Sequence, residues 1–392
     1  MSQIFTKPYI LVLPSWYPSE AHKFNGDFNQ RLVEAVSLKV SQVVLYVVGK
    51  PAINRSFFTC TIQDSIKTYL VYYPERKSTT GRIYSKVHYL YLQFKFLKLI
   101  FKENGLPQLT HVYVFWMAGI AALVVKKIYG VPYLITEHFS GFYPKSPADI
   151  NKNLLPLKYL FKIIIKNASH IITVAQKLKD RVQIWAPQTQ ITVIPNVVDT
   201  HLFNYHSIIN DTFFCFVHVS SMIPLKNITG LLNGFEIAVK INPLLRLKLV
   251  GASPEYVFSK IKSSSLLTKS VSCMGEVSYH TVKDMMQNSN ALIMFSKFES
   301  LPCVIIEALC CGLPIITSNV GGCAEIINDK NGIVVESENV DSLAKAILEM
   351  VNNCSNYNKE SIANNARNLY NYDTVSQQVC TVYNTLKPDF IC

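Results

Sequence analysis

The chain of 392 residues lacks several features on which common functional sites depend. No Asp-x-Asp pair occurs, so the paired carboxylates that hold a metal-bound diphosphate are missing. Neither a G-x-G-x-x-G fingerprint nor a P-loop is present, which argues against dinucleotide redox chemistry and kinase chemistry. The ten cysteines include no C-x-x-C pair and no Cys/His cluster at zinc spacing. We therefore expect neither a metal nor a cofactor.

Apolar runs long enough to cross a membrane are also missing. The apolar stretch Val112–Val125 ends after 14 residues at Lys126, short of the roughly 20 residues needed to span a bilayer. The N-terminus has no basic region, long apolar region or cleavage site, so we interpret it as a first strand and not as a signal peptide. Most cysteines lie in apolar segments, which suits buried thiols in a reducing cytosol. These features predict a cytoplasmic protein without a transmembrane helix.

Charge is distributed unevenly along the chain. Residues 1–205 hold 24 Lys and Arg against 10 Asp and Glu, whereas the remainder holds 14 against 16. The basic half predicts an anionic partner, either nucleic acid, an anionic membrane surface or a phosphorylated acceptor. Nucleic acid is the least favoured of these, because no nucleic-acid-binding motif is present. Residues 86–102 mix lysines with aromatics and leucines, which fits a helix on anionic lipid or one packed on a sheet with lysines in solvent.

Short β-rich runs alternate with helical stretches, which predicts parallel sheets covered by helices on both faces. The alternation restarts after a polar stretch near residue 200, so we predict an α/β protein of two Rossmann-like doubly wound domains facing across a cleft. The predicted domains are residues 1–198 and 213–365, with a linker at 199–212 and a C-terminal helix at 366–392 that could cross back to the first domain. The predicted strands are 9–14, 42–48, 111–116, 132–136, 170–175, 190–195, 213–220, 244–251, 291–296, 314–318 and 332–336; the predicted helices are 26–39, about 118–128, 302–311 and about 359–386.

The segment from 297 to 322 places one carboxylate, Glu307, among apolar and small residues, eight positions after Glu299. A buried charge without a partner is expensive, so Glu307 must be paired within the protein or bind a ligand. Pro302 suits the first turn of a helix, and the glycine of Gly312-Leu-Pro314 ends it. Glu299 then lies in the loop at the carboxyl end of a strand, where open α/β sheets bind ligands and helix N–H groups attract phosphate.

This segment resembles the signature of the family 4 retaining glycosyltransferases of GT-B fold, also called glycosyl transferases group 1. The signature has a Ser/Phe-Glu-Gly loop, seven residues between two glutamates, a Gly-x-Pro turn and a Gly-Gly-x-x-Glu turn. The matching residues are Phe298-Glu299, Glu307, Gly312-Leu313-Pro314 and Gly321-Gly322-Cys323-Ala324-Glu325. The resemblance implies that Glu299 binds the hydroxyls of the donor sugar and that Glu307 binds the ribose hydroxyls of the nucleotide.

The resemblance extends to the loops that would hold the rest of the donor. It implies that Ser300 and the backbone N–H groups of Leu301 and Cys303 face the diphosphate, although Ser300-Leu301 replaces the usual glycine-containing loop. Lys226 matches a lysine that grips the diphosphate, while its usual arginine companion is replaced by Ser221. The alternative for Lys226 is a solvated lysine at a helix start.

Further glycines match the donor site of the family. Gly251 lies at a strand-end turn, and Gly275 and Val277 lie in the segment whose backbone meets the nucleobase. In the first domain, Gly26 would let the backbone approach the phosphates or the reacting centre of the donor, or would simply begin a helix. His138 matches the position beside the anomeric carbon of the donor sugar, its alternative being a structural histidine.

The sequence thus predicts a retaining, metal-independent, hexosyltransferase-type glycosyltransferase with His138, Glu299 and Lys226 as catalytic residues. It would move a sugar from a nucleoside diphosphate donor to a hydroxyl of a lipid-linked or polysaccharide acceptor, in cell-surface polysaccharide biosynthesis. We expect it in the cytoplasm or peripherally on the inner face of the plasma membrane. The alternatives are a GT-B-shaped nucleotide-binding protein without transferase activity and a nucleotide-sugar epimerase.

Overall fold

The computed structural model describes residues 8–76, 78–144, 146–206 and 212–388. The chain divides into a first unit, which ends at Val197 and resumes at Tyr372, and a second unit, Val198–Asn371. The strands are β1 (Tyr9–Pro14), β2 (Ser41–Lys50), β3 (Phe57–Gln63), β4 (Ile66–Pro74), β5 (Leu109–Tyr113), β6 (Tyr133–Glu137), β7 (His170–Thr173), β8 (Ile191–Val193), β9 (Phe214–Val219), β10 (Leu245–Val250), β11 (Val271–Gly275), β12 (Ala291–Met294), β13 (Ile315–Ser318) and β14 (Gly332–Val335). The α-helices are α1 (Asp27–Ser37), α2 (Thr79–Asn104), α3 (Trp116–Tyr129), α4 (Leu155–Asn167), α5 (Gln176–Gln183), α6 (Ile228–Ile241), α7 (Glu255–Lys262), α8 (Ser265–Ser270), α9 (Tyr279–Gln287), α10 (Cys303–Cys310), α11 (Val340–Asn353), α12 (Lys359–Tyr370) and α13 (Tyr372–Leu386).

Each unit is a doubly wound α/β unit, which confirms the predicted fold class. The sheet of the first unit has the order β3-β4-β2-β1-β5-β6-β7-β8, and that of the second has the order β11-β10-β9-β12-β13-β14. All strand pairs are parallel except the edge pair of β3 with β4. Central strands such as β1 and β5 are buried along their whole length, because helices cover both faces of a doubly wound sheet.

Strand order reverses once in each sheet. In the first unit the reversal lies between β1 and β5, and in the second between β9 and β12. Such a switch point leaves an open crevice beyond the carboxyl ends of the two strands, where ligands bind in folds of this kind. The loops that follow these four strands are therefore the places to look for functional side chains.

The structure differs from the sequence predictions in three places. Strands β3, β4 and β11 were not predicted. The predicted helix at about 359–386 is two helices, α12 and α13, which break at Asn371. Pro302 precedes α10 as its N-cap residue, with φ −71°, and does not lie in the first turn as predicted. The predicted end of that helix before Gly312 is confirmed, since α10 ends at Cys310.

Helix α2 begins earlier than the predicted lipid-binding stretch, and its second half packs an apolar side inward. Leu92, Phe96, Leu97 and Ile100 are buried in the first unit, while its lysines are exposed. The part of the helix from Leu92 onward therefore fits a helix packed against the protein with its lysines in solvent. Val87 and Tyr91, however, are 62% and 60% exposed, so the lipid-binding interpretation of residues 86–102 stays a prediction. Within the parts of the chain that the structure describes, we find no helix with the length and apolar character to cross a membrane.

Helix α13 belongs to the first unit and packs against α1. Asp373 accepts an ion-pair hydrogen bond from Lys39 at 2.6 Å. Farther along the helix, the Tyr383 hydroxyl lies 2.6 Å from Nδ1 of the buried His111, whose Nε2 lies 2.6 Å from Thr136 Oγ1. Burial lowers the pKa of His111 to about 3, so this ring is neutral and serves as a polar link between α13 and the middle of the sheet.

Candidate active site

The switch point of the second unit brings together two residues that are far apart in sequence. Lys226 follows β9 in a short 3₁₀ turn, Pro224–Lys226, and Glu299 follows β12, the neighbouring strand. The Lys226 Nζ donates to Glu299 Oε1 at 2.6 Å. Their side chains are only 19% and 9% exposed. The structure therefore excludes a solvated lysine at this position.

Two further hydrogen bonds fix this ion pair. Ser296 Oγ donates to the same Glu299 oxygen at 2.8 Å. The backbone N–H of Lys297 donates to the Leu225 carbonyl at 2.8 Å, which joins the two loops beside the ion pair. Because both loops are tied together, the cation and the carboxylate are positioned before any ligand arrives.

The loop that carries Glu299 is supported by the Gly-Gly turn. Gly321 has φ +46°, and a Cβ there would lie 1.8 Å from the Glu299 carbonyl oxygen, so only glycine fits. Gly322 N–H donates to the Ser300 carbonyl at 2.6 Å. Ser300 itself is 8% exposed, and its Oγ has no hydrogen-bond partner among the described residues. A buried hydroxyl without a partner is costly, which favours a ligand at this position.

Helix α10 starts directly after this loop. Leu301 is 5% exposed and Cys303 is partly buried, and their main chain forms the approach to the helix N-terminus. Glu307 lies in the middle of the helix and is 3% exposed, so the carboxylate is as deeply buried as its apolar neighbours. Burial, together with the charge of Glu307, raises the pKa of Cys310 to about 12, so this thiol stays protonated.

Replacing Glu307 tests its predicted contact with the nucleotide ribose. We expect Glu307→Gln, which keeps the size of the side chain, to weaken nucleoside diphosphate binding by about 10- to 100-fold, the range for hydrogen bonds to a charged group. Isothermal calorimetry with UDP, GDP and ADP would measure the affinity, and the thermal unfolding midpoint would show that the variant is folded. Unchanged affinity in both Glu307→Gln and Glu307→Ala would contradict the assignment.

The edge of the second sheet is built on two further glycines. Gly251 has φ +126° and packs so closely on the Ser220 carbonyl that a Cβ would lie 1.9 Å away. Its N–H donates to the Gly275 carbonyl at 2.8 Å. Gly275 has φ +72° and open space on its Cβ side. Val277 is partly buried just beyond it. The predicted nucleobase contact at Gly275 and Val277 stays a prediction.

Ser221 occupies the place of the missing arginine and is exposed. The preceding Ser220 is engaged within the protein, since its Oγ lies 2.7 Å from His218 Nε2 and accepts from Met222 N–H at 3.0 Å. His218 Nδ1 lies 2.8 Å from the Ile293 carbonyl, and burial lowers the pKa of His218 to about 4. The loop is thus held by a neutral histidine, and Lys226 is the cation that this loop contributes beside Glu299. Among the described residues no group of three or more His, Cys, Asp or Glu side chains is placed to hold a metal ion.

The first unit has its own group of predicted site residues at the carboxyl edge of its sheet. Gly26 has φ +76° and is the N-cap residue of α1. A Cβ there would lie 2.3 Å from the main chain of Trp16, in the loop after β1. Asn29 Nδ2 donates to the Trp16 carbonyl at 2.8 Å and holds the same loop. The structure therefore explains Gly26 by packing within the chain, and its predicted approach to the donor stays a prediction.

His138 follows β6 and is partly buried beneath Phe28, with the ring centroids 4.5 Å apart. Burial lowers the pKa of His138 to about 3, so the imidazole is neutral at pH 7. Its Nε2 is shielded from solvent and has no hydrogen-bond partner among the described residues. A neutral ring with an unpartnered nitrogen can bind a hydroxyl group, which fits the predicted contact with a sugar.

Glu137 positions this histidine through the backbone. The Glu137 carboxylate is 1% exposed and accepts from the N–H groups of His138 at 3.0 Å and Phe139 at 2.8 Å. Its other oxygen accepts from Phe115 N–H at 3.3 Å. Phe115 is preceded by Val114, a β-branched residue with φ +65°, a strained conformation of the kind that collects at functional sites. One carboxylate therefore holds the loops after β5 and β6.

The buried Glu137 predicts a specific pH dependence of stability. Burial raises the pKa of Glu137 from 4.5 to about 7, so the folded protein holds a proton that the unfolded chain loses above pH 4.5. The free energy of unfolding should therefore fall as pH rises from about 4.5 to 7, by about 3 kcal/mol from this group, and stay level above that window. Denaturant unfolding of the wild type and Glu137→Gln between pH 4.5 and 8.5 measures it. The difference between the two proteins isolates Glu137, and a pH-independent difference would contradict the prediction.

Two residues of the site were not assigned from the sequence. Ser296, which bonds Glu299, is recognisable only by its place just after a central strand. Glu137 precedes His138, and its signal was a carboxylate at the end of an apolar strand. The predicted pair of Lys226 and Glu299 lies together in the second unit, and His138 and Gly26 lie on the carboxyl edge of the first.

Comparison with known proteins agrees with this geometry. Residues 205–369 match the family described as glycosyl transferases group 1, and residues 55–202 match the glycosyltransferase family 4. The chain is 26% identical over 272 residues to an uncharacterised glycosyltransferase of Methanocaldococcus jannaschii, covering 68% of this chain and 72% of that protein. It is 25% identical over 297 residues to the capsular polysaccharide biosynthesis glycosyltransferase CapM of Staphylococcus aureus, covering 68% of this chain and 73% of CapM.

The fold also matches a solved structure over nearly its whole length. Sucrose-phosphate synthase from Thermosynechococcus elongatus superimposes with a TM-score of 0.77 at 18% identity. The match covers 98% of this chain and 100% of that one. At this level of identity the likeness concerns the fold alone.

Proposed function

The chain belongs to the family 4 glycosyltransferases of GT-B fold, and from that premise we propose that it is a retaining hexosyltransferase that works without a metal ion. The donor is a nucleoside diphosphate sugar. The acceptor is a hydroxyl group of a lipid-linked or polysaccharide glycan. The proposal places the protein in cell-surface polysaccharide biosynthesis, peripherally on the inner face of the plasma membrane.

The ion pair of Lys226 and Glu299 is the observation that carries the proposal. The diphosphate of the donor needs a cation, and the hydroxyls of its sugar need a hydrogen-bond acceptor. Lys226 and Glu299 supply one of each and lie 2.6 Å apart beside a switch point. When the donor binds, we propose that Lys226 moves from the carboxylate to the diphosphate and that Glu299 accepts from the sugar hydroxyls. In a retaining transfer the charge develops on the leaving diphosphate, so a positioned cation there lowers the barrier directly.

The remaining groups of the site each bind a different part of the donor. Ser300 Oγ and the α10 N-terminus, with the N–H groups of Leu301 and Cys303, face the diphosphate, and Glu307 binds the ribose. His138 offers its neutral Nε2 to a hydroxyl of the transferred sugar. The leaving diphosphate itself helps to deprotonate the acceptor, so no protein nucleophile is required.

A transfer assay with a donor panel tests this function. Thermal shift with UDP-, GDP- and ADP-sugars should identify the donor, because a ligand at 100 times its Kd adds about 2.7 kcal/mol of stability. The stabilising donor is then incubated with a lipid extract, with and without EDTA. We expect a glycosylated lipid product that keeps the anomeric configuration of the donor, at a rate that EDTA does not change.

Other outcomes of this assay would favour a different function. Loss of transfer in EDTA, restored by a divalent cation, would contradict the metal-independent mechanism. If a donor stabilises the protein but is neither transferred nor slowly hydrolysed, the result would favour a nucleotide-binding protein without transferase activity. The exposed Ser221 in place of arginine is the observation that supports this alternative. Conversion of the donor alone into an epimeric sugar nucleotide would favour an epimerase.

A further inference from the structure

The outer face of α4 in the first unit is apolar at its start and basic along the rest. Leu154 and Leu155 are 81% and 79% exposed, the highest values among the large apolar side chains that the structure describes, and Tyr159 is 68% exposed. Lys162 and Lys166 are also exposed and continue the stripe. Leu155, Tyr159, Lys162 and Lys166 are spaced by four, three and four residues, so they lie on one side of the helix. We call these residues, with Leu154, the α4 face.

The α4 face is not needed to hold the helix in place. The opposite side of α4 carries Phe161, Ile164 and Ile165, all buried in the first unit. The exposed leucines and tyrosine are therefore additional apolar surface, of the kind that marks an interaction site.

Charge indicates the nature of the partner. Between residues 150 and 169 there is no Asp or Glu, and Lys152 and Lys158 bring the number of lysines to four. A partner that fits this face must therefore offer an apolar region to the leucines and tyrosine and negative charge to the neighbouring lysines. A second copy of this chain would present the same positive face and carries a formal net charge of +12, so like charges would oppose that contact.

Topology places the α4 face beside the candidate active site. Because α4 follows the loop after β6, its first turn lies at the carboxyl edge of the sheet, the same edge that carries His138. Aromatic rings connect the two. Trp116 lies 4.9 Å from Phe161 of α4 and 6.0 Å from Phe139, the neighbour of His138. Packed aromatic rings thus connect the buried side of α4 with the loop that carries the histidine we place beside the reacting sugar.

We propose that the α4 face docks the protein on an anionic lipid bilayer. Leu154, Leu155 and Tyr159 enter the interface, and the lysines contact lipid phosphates. The purpose of this docking, delivery of a membrane-borne acceptor to the His138 edge, rests on the proposed function. Binding to the bilayer itself requires no sugar transfer, so the two proposals can fail separately.

Vesicle co-sedimentation of the full-length protein tests the docking surface. Vesicles of phosphatidylglycerol and phosphatidylcholine are compared with vesicles of phosphatidylcholine alone. We expect binding to the anionic vesicles only, weakening as salt is added. The double substitution Lys162→Ser with Lys166→Ser should lower the partition coefficient about 25-fold, because each lysine near an anionic surface contributes about fivefold. Leu155→Ser with Tyr159→Ser should weaken it at least about tenfold, because the inserted apolar area is lost.

Matched control variants test whether vesicle binding depends on the α4 face in particular or only on the total number of lysines and exposed apolar side chains. Lys95→Ser with Lys98→Ser removes two exposed lysines of α2, and Ile241→Ser with Leu244→Ser removes two exposed apolar side chains of the second unit. Both should bind vesicles within about twofold of the wild type. All four substituted pairs are at the surface, so we expect wild-type unfolding midpoints.

Three outcomes would overturn the docking proposal. They are equal binding to neutral and anionic vesicles, wild-type binding by both α4 variants, and a wild-type dimer that Leu155→Ser with Tyr159→Ser converts to a monomer. Failure of the transfer assay with intact vesicle binding would refute the proposed function and leave the docking surface standing. Loss of vesicle binding with normal transfer to a detergent-solubilised acceptor would show that the α4 variants retain a working site, as the proposal requires.

Discussion

Replacing Glu299 with alanine should lower the turnover of sugar transfer by about 10²- to 10³-fold, the usual cost of removing one positioned electrostatic group from an active site. The substitution removes the oxygen that Lys226 and Ser296 both contact and, in the proposed complex, the acceptor for the sugar hydroxyls. Steady-state kinetics should show the loss mainly in kcat, because the sugar must be oriented for reaction and the nucleotide still binds through other residues.

The second unit offers a matched control for this substitution. Glu338 also forms an ion pair with a lysine, Lys297, at 2.5 Å, but its side chain is 58% exposed. Glu338→Ala should leave turnover within about twofold of the wild type, since exposed ion pairs contribute little. Near-normal turnover in Glu299→Ala, with an unfolding transition like that of the wild type, would refute the sugar-binding role.

Replacing Lys226 with methionine should have an effect of similar size, about 10²- to 10³-fold in turnover. Methionine keeps most of the length of the side chain and removes only the charge that we place on the leaving diphosphate. Because Ser221 stands where an arginine would assist, Lys226 carries this task without that second cation. We also expect weaker binding of the diphosphate nucleotide, measurable by calorimetry.

Combining the two substitutions tests whether the pair acts as a unit. Since Lys226 and Glu299 contact each other, the double variant should be far less impaired than the product of the two single effects and should resemble either single variant. Lys260→Met serves as the control, because Lys260 pairs with Glu236 at 3.5 Å elsewhere in the second unit and its side chain is 28% exposed. Strictly multiplicative effects of Lys226→Met and Glu299→Ala would show that the two groups act independently.

The sequence identified both partners of this ion pair but could not predict that they touch. They are 73 residues apart, and their contact depends on β9 and β12 being neighbours in the sheet while β10 and β11 lie on the other side of β9. That order is a property of the whole sheet, which no local pattern encodes. The place of Glu307 was easier, because the helix, its glycine end and the burial of the carboxylate all follow from adjacent residues.

Two of the three strands that sequence reasoning missed, β3 and β11, share a physical cause. Strands β3 and β11 are at the edges of their sheets. Most residues of β3 are exposed, and those of β11 alternate between exposed and partly buried. An edge strand lacks the continuous apolar run by which buried parallel strands are recognised. The sequence predicted α12 and α13 as a single helix because the helical pattern continues through Asn371. The chain nevertheless passes from one unit to the other at that residue.

The return of α13 to the first unit has a consequence for the order of folding during synthesis. The first unit begins with the first strand, yet its core includes Val375, Val379 and Tyr383, which are translated after nearly all of the chain. The second unit is a continuous stretch and can close as soon as Asn371 has left the ribosome. The half of the protein that is made first is therefore the half completed last, and until then its strands depend on a partner helix that does not yet exist.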